Sequence, residues 1–261
     1  MDDNSKKHHF NPEHILKNFV LEDESRLFVF NKLDGNAFPS TPRDAGHENH
    51  FNSITVDGDR HNLESVFQDA DTRQSVLIAK IIQSQDLKKL TNDERNYLAQ
   101  LVILQMLRVK RIRNNIREIP KILREAFEHM GVDQKFAPDI DNNEAKIQSF
   151  EMLSECVQYA PFVLTKQWSL IVAPPNHWFW TSDNPICIAN GFAASDSGLA
   201  AQGSTISWPI AKDLMLRFSC PSIANKVSHS NERDADRAAN LLRSEATMIC
   251  APAHVEQFNL N

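Results

Sequence analysis

Glycine is scarce in this sequence, with seven among 261 residues, and the familiar glycine-dependent motifs are missing. A phosphate-cradling loop needs closely spaced glycines, because only glycine lets the backbone approach a ligand so tightly. Neither such a loop nor a G-x-S-x-G nucleophile motif is present. The histidines of His47-Glu48-Asn49-His50 lack the i, i+4 spacing of a zinc protease helix. The sequence therefore predicts neither a cofactor nor a metal site.

Long apolar runs and paired cysteines are also missing. No stretch approaches the roughly eighteen apolar residues of a membrane span, and the polar N-terminus lacks the apolar core of a signal peptide. The four cysteines lie far apart with no C-x-x-C pair, which argues against a zinc ribbon and against a compact disulfide framework. We therefore expect a cytoplasmic protein with buried thiols and no membrane partner.

Acidic residues exceed basic ones, giving a net charge of −6, but the charge is strongly segregated. Residues 105–124 hold seven basic side chains and a single acid, Glu118. That segment carries +6, so the rest of the chain carries −12. A concentrated basic segment can attract a nucleic-acid backbone even in an acidic protein, so net charge alone does not exclude such a partner.

Helical apolar periodicity dominates the first part of the chain, and short β-type runs dominate the last. The predicted helices are a short one before residue 19, then 62–85, a long helix from the Thr91–Glu94 capping box to about Ile119 with a continuation to His129, then 141–159 and 231–244. The predicted strands are 26–31, 162–164, 168–172, 177–181, 204–208, 214–218 and 247–250. A long polar loop is expected over 36–60.

Helices first and strands later are typical of the α+β class. We therefore expect a helical N-terminal half packed on a mainly antiparallel sheet from the C-terminal half. The whole chain, 1–261, is expected to form one domain. Its parts would be an N-terminal helix, hairpin and loop (1–60), a helical part (61–160) and a β-rich part (161–261).

The most informative stretch is Phe179-Trp180-Thr181-Ser182-Asp183-Asn184-Pro185. Its proline cannot donate to a sheet ladder and favours extended geometry in the residue before it. Asp183 and Asn184 are therefore expected to sit stiffly at a strand end beside large rings. Together with Ser182 and the stacking surface of Trp180, or of the tryptophan two residues earlier, they form a candidate site. The alternative is an Asx turn in which Asp183 bonds to its own backbone.

A second candidate feature is the pair Gln105 and Arg108, which a helical projection places on the apolar stripe of the long helix. Polar groups on such a stripe are costly without partners, and a buried guanidinium needs a carboxylate, a carbonyl or a ligand anion. Glu64 and Asp183 are the expected carboxylate partners. We therefore predict that these four residues converge on one pocket; a purely structural ion pair is the alternative.

A basic ridge is predicted on the opposite face of the same helix. Five cations fall within roughly 80° of arc at about 100° per residue. Such a ridge could follow a DNA backbone, with each neutralised phosphate releasing counterions; the alternative is a solvated surface. The ridge residues are Lys110, Arg113, Arg117, Lys121 and Arg124.

Several of these pieces together resemble a bacterial family of unknown function, family 4238, found in mobile and defence-like loci. The resemblance covers almost the whole chain and implies an intracellular bacterial protein with a shared polar pocket, but no established reaction. Its departures include Glu13, where glutamine is commoner. The matching motifs are His9-x-x-Pro12-x-x-x-Leu16-x-x-Phe19, Glu64, Gln105-x-x-Arg108, Trp168, Phe179-x-x-Ser182-Asp183-Asn184-Pro185, Trp208-Pro209 and Asn231.

Three functions compete at this stage. The first is a metal-independent DNA glycosylase of anti-phage defence type that excises a flipped, modified or unmodified base. Its Asp183 would stabilise a cationic sugar while Asn184 reads the base, and the basic ridge would hold the backbone. The second is a metal-dependent nuclease with Glu64 and Asp183 as ligands, assisted by His9. The third is a non-catalytic ligand sensor in which Arg108 grips an anion.

Overall fold

The architecture is α+β, as the sequence predicted, with helices mainly in the N-terminal half and a four-stranded antiparallel sheet towards the C-terminal end. The computed structural model describes residues 6–20, 25–174, 177–190, 198–221 and 248–251. Within these ranges no helix is both long and apolar enough to cross a bilayer. The helix predicted over 231–244 lies outside the described residues.

Short strands surround one small helix in the first sixty residues. The predicted strand over 26–31 and the predicted short helix are both confirmed. The long loop expected over 36–60 is wrong, because four strands lie there. Those strands are short and largely polar, so they lack the alternating apolar pattern of a half-buried strand. The elements are β1 (Lys7–His9), α1 (Glu13–Leu16), a 3-10 turn (Lys17–Phe19), β2 (Leu27–Asn31), β3 (Ala37–Ser40), β4 (His47–Asn49), β5 (Ser53–Val56) and β6 (Asp59–Asn62).

Five longer helices follow, and the long helix predicted to begin at residue 92 is in fact two. The capping box of Thr91 and Glu94 is present, but the helix ends at Leu107 with Arg108 as its C-cap, and Val109 is extended (φ −86°, ψ 157°). The next helix contains Pro120 in its interior. The break re-aims every later side chain, so a single helical projection fails here. The helices are α2 (Ser65–Ser84), α3 (Asn92–Leu107), α4 (Lys110–Met130), α5 (Asn142–Ser154) and α6 (Cys156–Leu164).

The strand predicted over 162–164 is wrong, because these residues form the last turn of α6. Val163 is fully buried there, whereas Phe162 and Leu164 are exposed, because a helix turns only one of three consecutive side chains towards the core. The strand predicted over 177–181 shrinks to its final residue. Its aromatic residue Phe179 is buried in the core instead. Tertiary packing thus overrides the local β preference of branched and aromatic residues at both places.

The described part of the second half contains six strands, and the predictions over 168–172, 204–208, 214–218 and 247–250 are confirmed. Two four-stranded sheets have the orders β7-β11-β10-β9 and β3-β2-β12-β8, while β1 pairs with β4 and β5 with β6, all pairs being antiparallel. Residues 183–186 connect β8 of one sheet to β9 of the other. The strands are β7 (Gln167–Val172), β8 (Thr181–Ser182), β9 (Cys187–Asn190), β10 (Ser204–Pro209), β11 (Leu214–Ser219) and β12 (Met248–Ala251).

The main core lies between α3 and the first of these sheets. Leu98 and Val102 of α3 are fully buried together with Val163 of α6 and with Trp208 and Leu216 of the sheet. Burying a large apolar side chain contributes about 1.5–3 kcal/mol. The C-terminal end of α3 is therefore fixed firmly beside the connection that carries Asp183 and Asn184.

Candidate functional site

The N-terminal segment His9–Asn11 lies at the centre of a buried polar network. The backbone amides of Phe10 and Asn11 both donate to the carbonyl of Gly46, at 3.0 and 3.2 Å. Gly46 has φ +64°, and a Cβ there would meet Leu16 Cδ1 at 2.9 Å. A glycine is therefore required at this position for two reasons, its left-handed backbone and the close approach of the helix.

Gln105 and Arg108 reach this segment from the end of α3. Gln105 Nε2 donates to the carbonyl of Phe10 at 2.8 Å, and Arg108 Nη2 donates to the carbonyl of His9 at 2.9 Å. Both side chains are almost fully buried. The polar pair on the apolar stripe is thus explained by two backbone carbonyls that would otherwise be buried without donors.

The carboxylate partner of Arg108 is Asp71 of α2, in place of Glu64 or Asp183 as expected. Nη1 and Nη2 approach the two carboxylate oxygens of Asp71, the second at 3.2 Å. The guanidinium also lies over the ring of Phe67, 4.6 Å from its centroid. Three donors and one ring face are therefore committed within the protein, which is the structural ion pair rather than an anion-gripping arginine.

The strand end that precedes Asp183 is bound directly by Asn11, which is distant in the sequence. Its Nδ2 donates to Thr181 Oγ1 at 3.1 Å and to the carbonyl of Ser182 at 2.9 Å. Asn11 does not cap α1, because Pro12 takes the N-cap position without a side-chain cap. The Ser182 hydroxyl accepts from the backbone amide of Asn184 at 3.1 Å, so this serine closes the turn. Asp183 is buried beside it.

A cavity of about 200 Å³ opens between this strand end and the break that separates α3 from α4. Asn184 lines it, as do Arg111 and Asn115 of α4, whereas Asp183 does not. Trp180, the expected stacking surface, does not line it either and is half-buried. The other described lining residues are apolar: Met106, Val109, Ile112, Ile186 and Ile188.

Glu64 belongs to a different polar network. Its Oε2 accepts from Asn52 Nδ2 at 2.6 Å, and Asn52 Oδ1 accepts from Arg113 Nη2 at 2.8 Å. Asn52 also donates its backbone amide to His8 Nδ1 at 2.8 Å. Among the described residues no three histidine, cysteine or acidic side chains are grouped as metal ligands. Glu64 is therefore bonded to Asn52 instead of to Arg108, and the metal-dependent nuclease stays a hypothesis.

His9 is partly buried, and its ring lies 5.5 Å from that of His47. Burial lowers the pKa of His9, while a contact with the Arg43 carbonyl and the charge of Glu64 oppose that shift. The Nε2 atom lies 3.2 Å from the Arg43 carbonyl. The imidazole is therefore held as a neutral donor on the flank of the network, and its main contribution to the site is its backbone carbonyl.

Arg113 was predicted on the exposed ridge, and this is wrong because its side chain is buried. It donates to the Phe51 carbonyl, to Asn52 Oδ1 and to Ser149 Oγ, and stacks on the Phe51 ring at 3.5 Å. Burial lowers its pKa to about 10, although the charges of Glu48 and Glu64 act in the opposite direction. Two aromatic rings and three acceptors replace water around this cation.

The other ridge residues lie nearer the surface. Lys110 pairs with Glu48 at 2.7 Å, and Arg124 pairs with Asp139. Arg117 and Lys121 are exposed on successive turns of α4. The ridge thus reduces to two exposed cations, flanked by two that have carboxylate partners. At about 100° per residue, the mean direction of Arg117 and Lys121 lies about 120° around α4 from that of Arg111 and Asn115.

Sequence reasoning missed the cavity residues Arg111 and Asn115, and it missed Asp71. The spacing of Arg111 and Asn115, one turn apart on α4, is a usable signal once the helix is started at Lys110 rather than Asn92. Asp71 gave no signal, because it sits among the ordinary polar residues of an amphipathic helix.

Comparisons place the chain in a family without assigning a reaction. No curated protein and no solved structure matches it significantly. The family model described as protein of unknown function (DUF4238) matches residues 7–260. This range contains every residue of the network, the strand end and the cavity, and the chain therefore belongs to the DUF4238 family.

Proposed function

We propose that this protein is a hydrolase acting on nucleic acid that takes a single base into the cavity beside Asn184. A metal-independent DNA N-glycosylase is the reaction that suits this cavity best. The observation that carries the proposal is the lining itself, in which the amides of Asn184 and Asn115 meet apolar walls. The defence setting rests on the family resemblance alone.

The cavity has the composition expected for a planar heterocycle. Its volume of about 200 Å³ lies below the roughly 300–1,000 Å³ of a typical drug-sized site, which suits one ring system. Apolar side chains such as Ile112 and Ile186 would cover the two faces of the ring. The amides of Asn184 and Asn115 supply donors and acceptors for its edge, and Arg111 supplies a cation at the cavity wall.

Asp183 is the carboxylate proposed for the chemistry. It directly precedes Asn184, so a sugar attached to a base in the cavity would lie at the same strand end. A buried carboxylate there would stabilise the oxocarbenium-like state and orient a water for attack on the sugar carbon, with the base leaving. Arg117 and Lys121, about 120° around α4 from Arg111 and Asn115, would contact the backbone ~10 Å away.

A non-catalytic ligand sensor is the second candidate. It is favoured by the position of Asp183, whose side chain does not line the cavity. Such a module would bind a free base or nucleoside through Asn184 and Asn115 and release it unchanged. Its anion would not be held by Arg108, because Asp71 and the His9 carbonyl already occupy that guanidinium.

The test is to incubate the purified protein with DNAs of modified and unmodified bases, with and without chelator. A glycosylase should work in chelator and leave abasic sites that break on alkali treatment. Asp183→Asn should then lower turnover by about 10²–10³-fold with little effect on DNA binding, and Asn184→Ala should change which base is accepted. Asn114→Ala, exposed and outside the cavity, is the matched control.

Unchanged turnover in Asp183→Asn, or strand breaks that need added metal and pass through no abasic site, would refute the glycosylase. Saturable binding of free base that is lost in Asn184→Ala and Asn115→Ala, without any product, would establish the sensor instead.

A further inference from the structure

A second cavity, of about 390 Å³, lies between the β5–β6 hairpin and the start of α5. It shares none of its described lining residues with the cavity beside Asn184. The hairpin is fixed to the helix by one side chain. Asn143 donates from Nδ2 to the Thr55 carbonyl at 2.8 Å and accepts from the Thr55 amide at 2.7 Å. The cavity is thus bounded by rigid elements on both sides.

Arg60 extends into the same region from the hairpin. It is the direct cross-strand partner of Thr55, and directly opposed residues project from the same face of an antiparallel pair. Asn143 of α5 bonds the backbone of Thr55 at the outer edge of this pair. Arg60 is exposed and lines the cavity, so its planar guanidinium is presented to whatever enters.

Lys146 supplies a second cation from α5. Its Nζ donates to the carbonyls of His50 and Ser53, at 2.9 and 3.0 Å. These acceptors are neutral, so they orient the ammonium group without cancelling its charge. His50 has φ 57°, a left-handed conformation that is uncommon outside glycine, and its carbonyl accepts the bond from Lys146. The backbone carbonyls of the loop residues His50 and Ser53 therefore both point at the ammonium group.

The charges around this cavity are not balanced locally. Burial lowers the pKa of Lys146, and the nearby charges of Arg113 and Arg60 lower it further, although Glu48 acts in the opposite direction. Asp141 also lines the cavity. Its carboxylate is used to cap α5, accepting from the amides of Asn143 and Glu144 at 2.7 and 2.8 Å. A bound anion would relieve the repulsion between the cations.

We propose that this cavity binds the phosphate group of a nucleotide or of a nucleic-acid strand, with Arg60 and Lys146 as its cationic donors. A guanidinium fork matches two phosphate oxygens, and an ammonium group adds a compact point charge. The volume exceeds that of a phosphate group alone, which leaves room for the attached sugar. The inference is independent of the reaction proposed at the first cavity.

The test is calorimetric titration of the intact protein with inorganic phosphate, adenosine monophosphate and adenosine. The monophosphate should bind at least tenfold more tightly than adenosine. Arg60→Ala should weaken that binding at least tenfold and Arg60→Glu should abolish it, while Arg73→Ala, an exposed arginine on α2, should leave it unchanged. Lys146→Met should also weaken binding, with circular dichroism checking that the loop change leaves the fold intact.

A short single-stranded oligodeoxynucleotide distinguishes the two sources of phosphate. Binding of the oligonucleotide alone, sensitive to Arg60→Glu, identifies a strand backbone as the ligand, and binding of the monophosphate identifies a free nucleotide. The proposal fails if no phosphate compound binds at millimolar concentration, if Arg60 variants bind as the parent does, or if Arg73→Ala weakens binding equally. Loss of binding in Asn184→Ala would assign the ligand to the first cavity and likewise overturn it.

Discussion

Single residues decide how the N-terminal segment joins the rest of the protein. Arg108 is fully buried, and its partners come from two separate stretches of chain: Asp71 and Phe67 of α2, and the carbonyl of His9. Such an arginine serves as a structural crosslink, because each bond satisfies a group that would otherwise be buried unpaired. Gln105, one turn earlier on α3, likewise donates a hydrogen bond to the Phe10 carbonyl.

Replacing Arg108 with alanine should lower the free energy of unfolding by about 3 kcal/mol. The change leaves the His9 carbonyl without its donor and Asp71 without its cation, although Asp71 is partly exposed and regains some hydration. Urea denaturation monitored by circular dichroism measures the effect. Arg73→Ala removes a surface pair with Asp69 and should cost less than about 1 kcal/mol. An equal decrease in the free energy of unfolding in the two variants would show that the buried pair stabilises the fold no more than the surface pair does.

At the scale of the element, the break between α3 and α4 determines which side chains are available. With the second helix restarted at Lys110, the buried face of α4 includes Arg113 and Ile116. Arg111 and Asn115 then lie about 120° around the helix from Arg117 and Lys121, at about 100° per residue. Because the chain is extended at Val109, the basic residues that follow do not share one exposed face. Arg113 is buried, Arg111 lines the cavity, and Arg117 and Lys121 are exposed.

Reversing the two exposed ridge charges with Arg117→Glu and Lys121→Glu should weaken DNA binding. If each contacts one phosphate, the slope of log affinity against log salt should become shallower by about 1.8, since each contact contributes about 0.9. Fluorescence anisotropy at several salt concentrations provides the measurement. The control is Lys88→Glu with Lys89→Glu, which makes the same charge change on another exposed surface. An affinity and slope that match those of the control would leave the ridge as a solvated face. Arg113 is omitted because its reversal would bury a carboxylate.

At the scale of the whole molecule, the N-terminal segment connects elements from every part of the chain. Asn11 binds Thr181, 170 residues later, and β2 pairs with β12. Three partly buried histidines belong to this same region. Burial lowers the pKa of His9, His14 and His47 below the ordinary value of 6.5. Their neutral forms are therefore part of the folded state.

Stability should fall as the pH decreases from about 7 towards 5. Below 6.5 the unfolded chain binds protons at these histidines that the folded chain does not, so protonation favours unfolding. Glu94 also has a lowered pKa, caused chiefly by its bond with Lys80, but its ordinary value of 4.5 places that effect at lower pH. Urea titrations at pH 7.5, 6.5 and 5.5 measure the slope. His14→Gln should reduce it, whereas substitution of the exposed His129 should not; a flat profile in the parent would contradict the assignment.

The sequence by itself determined the α+β class, the capping box at Thr91 and the strands later seen as β7, β10 and β11. These features depend on near neighbours: an apolar period, a cap three residues from its partner, a β-rich run between turns. It also singled out Gln105 and Arg108, because polar residues on an apolar helix stripe are unusual. It singled out Asp183 and Asn184 because a proline follows them directly after a predicted strand.

Only the tertiary structure decided what those residues contact. Asp71 rather than Glu64 pairs with Arg108, Asn11 holds a strand end instead of capping a helix, and Arg113 is buried rather than exposed. Each of these contacts joins residues far apart in the chain, and an isolated sequence offers many carboxylates and amides of equal chemical suitability. The choice among them is made by packing, since only the groups brought together when water is excluded can satisfy one another.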